Sequence, residues 1–378
     1  MDKKILLSPP YFSGEEEHFF KSAVQNDWSG TNTNSTDRFE AVLKAYLECE
    51  YVVALNSGTA GIHLALKILG VNNGDEVICS TFTFVASCNP IVYQGATPIL
   101  VDSEEETWNM DPEILEYAIR ERIAKGKKPK AIVLVHLYGM PAKLEKILSI
   151  ASRYDIPIIE DAAEALGSEY RGQKLGTFGD IGIFSFNENK IITTGGGGAL
   201  VCSNDEYAIK ARHLSNQARE QAPHYEHSKI GYNYRMNNLA AAVGCAQMAF
   251  LKKRIARKRE IFHYYKENLG STGRYILLNE PNQCISNRWL STVIVDSEKN
   301  EIDPETVRLK LAASEIESRP LCKPMHLQPI YRDVPYYGNG ISESLFNKGL
   351  CLPSGVGLLN KELNRINELL EAILIGVT

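Results

Sequence analysis

Several signatures of common chemistries are missing from this 378-residue chain. None of its eight cysteines, Cys49, Cys79, Cys88, Cys202, Cys245, Cys284, Cys322 and Cys351, belongs to a CxxC pair. They are scattered through apolar stretches, which predicts reduced, mostly buried thiols in a cytoplasmic protein. The eight histidines are dispersed with no HExxH spacing, so no metal site is expected. No apolar run reaches the roughly 18 residues that span a bilayer. The start, MDKKILLSPPYF, has too short an apolar run for a signal peptide. There is no internal repeat and no low-complexity segment. A net charge of −5 argues against nucleic acid as the main partner, although an acidic chain can still hold an anion locally. The segment VALNSGTAG lacks the GxGxxG pattern that a nicotinamide-binding turn requires.

What is present is an ordinary globular composition, 44% hydrophobic and 23% charged, in a chain long enough for two domains. Helical and strand patterns alternate through the first part. YVVAL, EVICSTFTF, TPILVDSE, AIVLVHLYG and IPIIEDA read as strands; IHLALKILG, CNPIVYQG, MDPEILEYAIRERI and KLEKILSIASRY read as helices. An earlier helix over about 36–48 takes Thr36 or Ser35 as its cap. Alternation of this kind predicts a mostly parallel sheet covered by helices on both faces. Its strand ends carry Ser57, Thr81, His136 and Asp161, which are expected to line one crevice at the carboxyl edge. From about 236 to 268 the pattern is helical, and its basic cluster KKRIARKRE reads as a solvated helix face. Shorter strands (RWLSTVIVD), a helix (PETVRLKLAAS) and a last helix (NKELNRINELLEAILIG) follow, as in a smaller α+β domain. The expected division is a large domain over 1–250 and a small one over 251–378.

Three residues carry the chemistry. Asp161 ends the apolar run in PIIEDAAEALGS; Ser185 and Lys190 lie in GIFSFNENKIITTGGGGAL, before a glycine-rich turn. Pyridoxal phosphate chemistry needs this combination: an amine for the aldehyde, a carboxylate for the ring nitrogen, and donors for the phosphate. Lys190 could instead be a surface lysine at a strand end, and Asp161 a turn residue. Glu160, next to Asp161, should point to the opposite face of its strand. In LNSGTAGIHLAL, the amides of Gly58 and Thr59 and the hydroxyls of Ser57 and Thr59 suit an anion at a helix N-terminus. A capped helix with no ligand would have the same sequence. Phe82 could stack on a cofactor face, or Phe82 and Phe84 could both enter the core. Asn233 and Arg235 could cap a helix or reach a phosphate.

Taken together and in this order, LSPPYFSGEE, LNSGTAGIHLAL, EVICSTFTFVAS, VHLYG, IIEDAAEALGS, GDIGIFSFNENKIITTGGGG and GYNYRMNN resemble the DegT/DnrJ/EryC1/StrS family of nucleotide-sugar aminotransferases over essentially the whole chain. The resemblance implies the type I aminotransferase fold, with a mostly parallel seven-stranded sheet in the large domain. It implies that Lys190 carries pyridoxal 5′-phosphate and shuttles the proton, that Asp161 pairs with the ring nitrogen and that Phe82 stacks on the ring. Glu164 would sit near the ring hydroxyl, where many relatives have glutamine. Gly58, Thr59 and Ser185 would hold the phosphate, and Asn233 would reach the phosphate of the neighbouring subunit in a homodimer. Lys190 argues against a dehydrating branch that has histidine there. Many relatives have TGEGG after the lysine; this chain has TTGGGG, with Gly196 at the acidic position. SNRWLSTVIV, ESRPLCKPMHLQPIY and QAREQAPHYEH resemble enzymes that aminate C4 of a UDP-linked 4-keto-6-deoxy-N-acetylhexosamine for bacterial glycans of the bacillosamine type, with L-glutamate as donor. Arg288, Arg319 and His326 are then candidates for contacts to that UDP-sugar. The alternatives are a C3 aminotransferase acting on a 3-keto sugar nucleotide and a non-catalytic pyridoxal phosphate-binding regulator.

Overall fold

The computed structural model describes residues 4–26, 34–270, 273–295 and 302–374. The first half builds strands β1 (Tyr51–Leu55), β2 (Glu76–Ser80), β3 (Thr97–Val101), β4 (Ala131–Val135), β5 (Ile158–Asp161), the short pair β6 (Glu169–Tyr170) and β7 (Gln173–Lys174), then β8 (Ile181–Ser185) and β9 (Gly198–Cys202). Later come β10 (Tyr275–Leu277), β11 (Cys284–Ile285), β12 (Ser291–Val295), β13 (Arg319–Pro320), β14 (Tyr336–Tyr337) and β15 (Gly349–Leu352). The main sheet has the order β1-β9-β8-β5-β4-β2-β3-β14. All its pairings are parallel except those of β9, which lies antiparallel between β1 and β8. Helices cover both faces, so the strands are buried on both sides and read as short unbroken apolar runs.

This is the expected α/β arrangement with one strand more than the seven anticipated. The eighth, β14, is a two-residue strand that pairs in parallel with β3. Two residues show no periodicity, and the strand comes from the C-terminal third of the chain, so nothing local announces it. A four-stranded antiparallel sheet, β10-β12-β15-β13, forms the second layer, with its own core around Phe262, Val293, Leu352 and Ile366. The N-terminal segment joins this side through Ile5, which bridges to Ile316. The last helix runs Asn360–Leu374, and its expected final turn at 375–376 lies outside the described residues, as does Asp296 at the end of RWLSTVIVD.

Two local expectations are corrected. The cap of the Ser35–Leu47 helix is Asn34, whose side chain accepts from the Asp37 amide at 2.7 Å. Thr36 is instead buried and donates its hydroxyl to Asn238 Oδ1 at 2.8 Å. The helical run over 236–268 breaks at Phe250 into Asn238–Ala249 and Leu251–Leu269. Nor is its basic cluster simply solvated: Arg254 and Lys258, one helical turn apart, point inward and are buried.

Beside the β14–β3 pairing, a buried carboxylate links the main sheet back to the C-terminal part. Asp102 follows β3 and is fully buried. Its Oδ2 accepts from the Tyr336 hydroxyl at 2.8 Å and from the amides of Asn339, Gly340 and Ile341 at 3.1, 2.8 and 3.1 Å. Its Oδ1 accepts from the amides of Ser103 and Ser342 at 2.8 and 3.0 Å. It thereby caps the Ile341–Lys348 helix from a distant part of the chain. Burial raises its pKa, but the hydrogen bonds from Ser342, Ser103 and Tyr336 outweigh that and hold it below the ordinary aspartate value. A lowered pKa of this kind adds stability above the unfolded-state pKa that is lost as pH falls through the folded-state one. Asp102→Asn should therefore destabilise the fold by about 2–3 kcal/mol near neutral pH. In urea unfolding, the gap between variant and parent midpoints should close as pH falls into the acid range.

Candidate active site

Because β1, β4, β5 and β8 run the same way, their carboxyl ends meet at one edge of the sheet; antiparallel β9 starts there. A cavity of about 450 Å³ opens at this edge. Ser57, Gly58, Thr59, Asp161, Glu164, Ser185 and Lys190 all line it. Six of these seven were grouped from their chemistry and spacing; Glu164 was expected here from the family resemblance. The expected crevice loses two of its strand-end residues. Thr81 turns to His326, 2.7 Å between Oγ1 and Nδ1, and His136 turns into the core.

The pleat explains the division at β5. Asp161 faces the cavity and Glu160 faces the other way. Glu160 is fully buried against His136 Nε2 at 2.9 Å and accepts from the amides of Gly176, Phe178 and Gly179 at 2.9, 2.6 and 2.6 Å. His136 Nδ1 accepts from the Ala142 amide, so Nε2 carries the proton given to Glu160. Burial pushes the Glu160 pKa up; His136 and the Gly179 and Gly176 amides more than reverse it. Asp161 is held from both sides. Ser87 Oγ donates to Oδ2 at 2.6 Å, and the Ala163 amide donates to Oδ1 at 3.2 Å. Thr83 Oγ1 lies 2.7 Å from Ser87 Oγ, completing a buried relay.

Opposite, the Gly58–Ile68 helix starts directly after β1. Ser57 is its cap, its hydroxyl accepting from the Ala60 amide at 3.1 Å. The amides of Gly58 and Thr59 occupy the first two helical positions, where no carbonyl precedes them in the helix to accept. A Cβ on Gly58 would sit 3.1 Å from Ser185 Cβ, and one on Gly198 would run into the Ser57 backbone. Small residues therefore let β1, β8 and β9 close around this helix start, with the hydroxyl-bearing Ser185 beside it. This is a cradle for a phosphate-sized anion.

Lys190 reaches the cavity from the turn after β8. Its Nζ lies 3.4 Å from Glu164 Oε1 and 4.1 Å from the centre of the Trp289 ring. Glu164 Oε2 accepts from the Tyr138 amide at 2.6 Å. Burial raises the Glu164 pKa above the ordinary value, and the Lys190 cation only partly offsets this. An amine, an oriented carboxylate and an anion cradle around one small cavity fit pyridoxal phosphate.

Residues 11–371 match the sequence pattern of the DegT/DnrJ/EryC1/StrS aminotransferase family. The chain belongs to this family. A protein of Bacillus subtilis named as the pyridoxal phosphate-dependent aminotransferase EpsN is 47% identical, over 98% of this chain and 96% of its own. GDP-perosamine synthase of Escherichia coli O157:H7 is 38% identical, over 97% of each chain. Among solved structures, Spr1654 of Streptococcus pneumoniae, described as a sugar aminotransferase, matches in its PLP form with a TM-score of 0.90 and 27% identity over 100% of both chains. Its PMP form matches with a TM-score of 0.89 and 26% identity, over 99% of this chain and 100% of its own. This DegT/DnrJ/EryC1/StrS member is a pyridoxal phosphate-dependent sugar aminotransferase with the type I fold.

Three expected site residues lie elsewhere, and Asn233, expected at the neighbouring subunit's phosphate, does not line this chain's cavity. Phe82 is 1% exposed, in the core; the chain then leaves the strand for the Val85–Ser87 turn, and Phe84 emerges over the cavity instead, 64% exposed. Arg288 is buried in the C-terminal part: its Nη1 donates to the Leu278 carbonyl at 2.6 Å and its guanidinium lies 3.5 Å from the centre of the Phe262 ring. Burial pushes its pKa down to about 10, against the pull of Glu280. His326 stacks on Tyr336, 3.8 Å between centres, and contacts Glu343 at 3.0 Å. Asn233 is exposed and outside its own chain's cavity; its carbonyl accepts from Asn56 Nδ2 at 3.0 Å. Arg319 does line the cavity, at its rim, paired with Glu317 at 2.8 Å. Gly196 also lines it, and a Cβ there would meet nothing within 4 Å, so the missing acidic side chain leaves open space.

Trp289, Tyr138, Ser87 and Leu7 line the cavity without having been singled out. Trp289 follows Arg288 in SNRWLS, and Ser87 closes STFTFVAS, so both lay inside quoted segments. Ser87→Ala removes a hydrogen bond to a carboxylate, a loss of about 1.5–3 kcal/mol. Spectrophotometric titration of the apoprotein should then show pyridoxal phosphate binding weakened about tenfold or more.

Proposed function

We propose that this aminotransferase moves the amino group of L-glutamate to C4 of a UDP-linked 4-keto-6-deoxy-N-acetylhexosamine for bacterial glycan synthesis. The observation that carries the catalytic part is the Lys190 amine facing a cavity bounded by Asp161 on one side and the Gly58–Thr59 helix start on the other. The C4 position and the UDP group rest on the resemblance of SNRWLSTVIV, ESRPLCKPMHLQPIY and QAREQAPHYEH to enzymes of that specificity. Arg319, at the rim, is the candidate of the original three that remains for an anionic group of the nucleotide sugar.

When bound, pyridoxal phosphate supplies the electron sink that stabilises negative charge on a carbon next to nitrogen. The side chains do the rest. Ser57, Gly58, Thr59 and Ser185 hold the phosphate, and Asp161, kept in place by Ser87 and the Ala163 amide, holds the ring nitrogen's proton. Lys190 Nζ removes a proton from the α-carbon of glutamate in the first half-reaction. It delivers a proton to the sugar C4 in the second. Glu164 faces Nζ at 3.4 Å, and Trp289 and Leu7 supply apolar wall to the cavity.

The proposal includes a homodimer in which the exposed Asn233 serves the neighbouring subunit's phosphate. It also includes a domain division at 250/251, where the helical run breaks at Phe250. A cytoplasmic location belongs to it as well; no described helix is long and apolar enough to cross a membrane. A second reading, with GDP in place of UDP, is favoured by the 38% identity to a GDP-perosamine synthase.

L-Glutamate added to the pyridoxal phosphate-loaded protein should abolish the visible cofactor band and generate the pyridoxamine form. Lys190→Ala should lose turnover by about 10³-fold or more. Full activity in that variant ends the catalytic assignment. Parallel assays with UDP- and GDP-linked keto sugars, with product NMR, should give amination at C4 of the UDP-sugar. Turnover confined to the GDP-sugar, or an amino group at C3, overturns the substrate assignment and leaves the catalytic one standing.

A further inference from the structure

Trp289 is held at more points than a wall of a cavity needs. Its N–H donates to Asn287 Oδ1 at 2.9 Å. Its carbonyl accepts from Lys258 Nζ at 2.8 Å. Its indole Nε1–H donates to the Asn189 carbonyl at 2.8 Å, and its ring faces that of Tyr138, centres 6.4 Å apart and planes at 17°. Asn287 is anchored in turn, its Nδ2 donating to the Glu164 and Leu166 carbonyls at 2.8 and 3.0 Å. The indole thus spans from the C-terminal sheet to the residue next to Lys190, with Glu164 bound at its base.

Lys258 is the unexpected member. It is 2% exposed, and among the described residues no carboxylate pairs with it. Its Nζ meets the Trp289 carbonyl, the Ser354 carbonyl at 2.9 Å and Ser8 Oγ at 3.2 Å. Burial, and then the nearby Arg254 cation, push its pKa down to about 7. Its three donors are matched by three acceptors, two carbonyls and a hydroxyl oxygen. Such a group costs too much to bury for packing alone, and its partners tie three separate chain segments behind the indole.

We propose that Trp289 is a positioning residue for Lys190: its indole face, with the Glu164 carboxylate beside it, holds Nζ over the cavity whenever the amine is not engaged, and Lys258 fixes the indole through the Trp289 carbonyl. The inference rests on the catalytic reading of Lys190. Nζ lies 4.1 Å from the ring centre, inside the range of about 6 Å for a cation–π contact. A free lysine side chain has many rotamers, and a cavity of about 450 Å³ gives it room to use them. A fixed aromatic face removes that freedom in advance, and proton transfer needs Nζ within hydrogen-bond reach of the reacting carbon. Phenylalanine would keep a face and lose the Nε1–H anchor to Asn189; leucine would lose both.

The test is a graded series. Trp289→Phe should lower kcat about threefold and Trp289→Leu about 10–30-fold, with KM for glutamate changed less than about twofold. The isotope effect on α-deuterated glutamate should rise in the same order, because proton transfer by Nζ becomes slower relative to the other steps. A second readout needs no cofactor. In the apoprotein, acylation of Lys190 by an amine-selective reagent, followed by peptide mass spectrometry, should be several-fold faster in Trp289→Leu, and Lys258→Met should move in the same direction. Unchanged kcat, isotope effect and Lys190 labelling in folded Trp289→Leu, or in Trp289→Phe if the leucine variant does not fold, overturn the proposal. An active Lys190→Ala protein overturns the catalytic reading beneath it. An inactive Lys190→Ala protein beside an unaffected Trp289 series overturns this inference alone.

Discussion

Strand direction is the constraint on which the rest depends. Parallel strands deliver their last residues to a common edge, and here that edge receives Ser57 just beyond β1, Asp161 at the end of β5 and Ser185 at the end of β8. The antiparallel β9 brings the glycine-rich turn to the same place from the other direction. An acid, a hydroxyl, a helix start and a lysine, far apart in the chain, become neighbours without any segment leaving its natural path. The single reversed strand is therefore part of the site's construction: it lets the loop that carries Lys190 return over the edge.

Buried polar groups do most of the joining between layers, and each joins by hydrogen bonds more than by ion pairing. Asp102 gathers five backbone amides and a tyrosine hydroxyl, and so fastens the segment 336–342 to the main sheet. Glu160 gathers three amides and a neutral histidine directly behind the cavity. Lys258 does the equivalent with two carbonyls and a hydroxyl behind Trp289. A buried charge left unpaired is costly, so these groups fix their surroundings to a single arrangement. The cavity lies between such anchors, which suits chemistry that depends on the placement of one amine.

Much of this was legible in order and spacing. Seven of the nine residues assigned to the cofactor line one cavity, because a strand end followed by a small-residue turn has only one edge to go to. Phe82 was misplaced since the two-residue alternation stops at Ser80 and the following turn exposes Phe84 instead. Asn233 lies on the surface of its own chain, and its role belongs to the proposed dimer. Arg288 and His326 were candidates because the segments that hold them resemble sugar-nucleotide enzymes and their side chains suit a phosphate or hydroxyl. One is taken up by Leu278 and Phe262, the other by Thr81, Glu343 and Tyr336, and no local periodicity announces these partners.

The amino-acid order alone determined the alternating elements, the open parallel sheet and the set of Lys190, Asp161 and the Gly58–Thr59 turn, because these depend on local periodicity and on which residues end a strand. Tertiary structure alone decided what stands around them. Packing turned His136 away from the edge and onto Glu160. The approach of the C-terminal sheet set Trp289 against Lys190, and the inward face of a basic helix buried Arg254 and Lys258. Those outcomes depend on contacts between segments 24 to 250 residues apart, and a side chain's type does not say which distant partner will claim it.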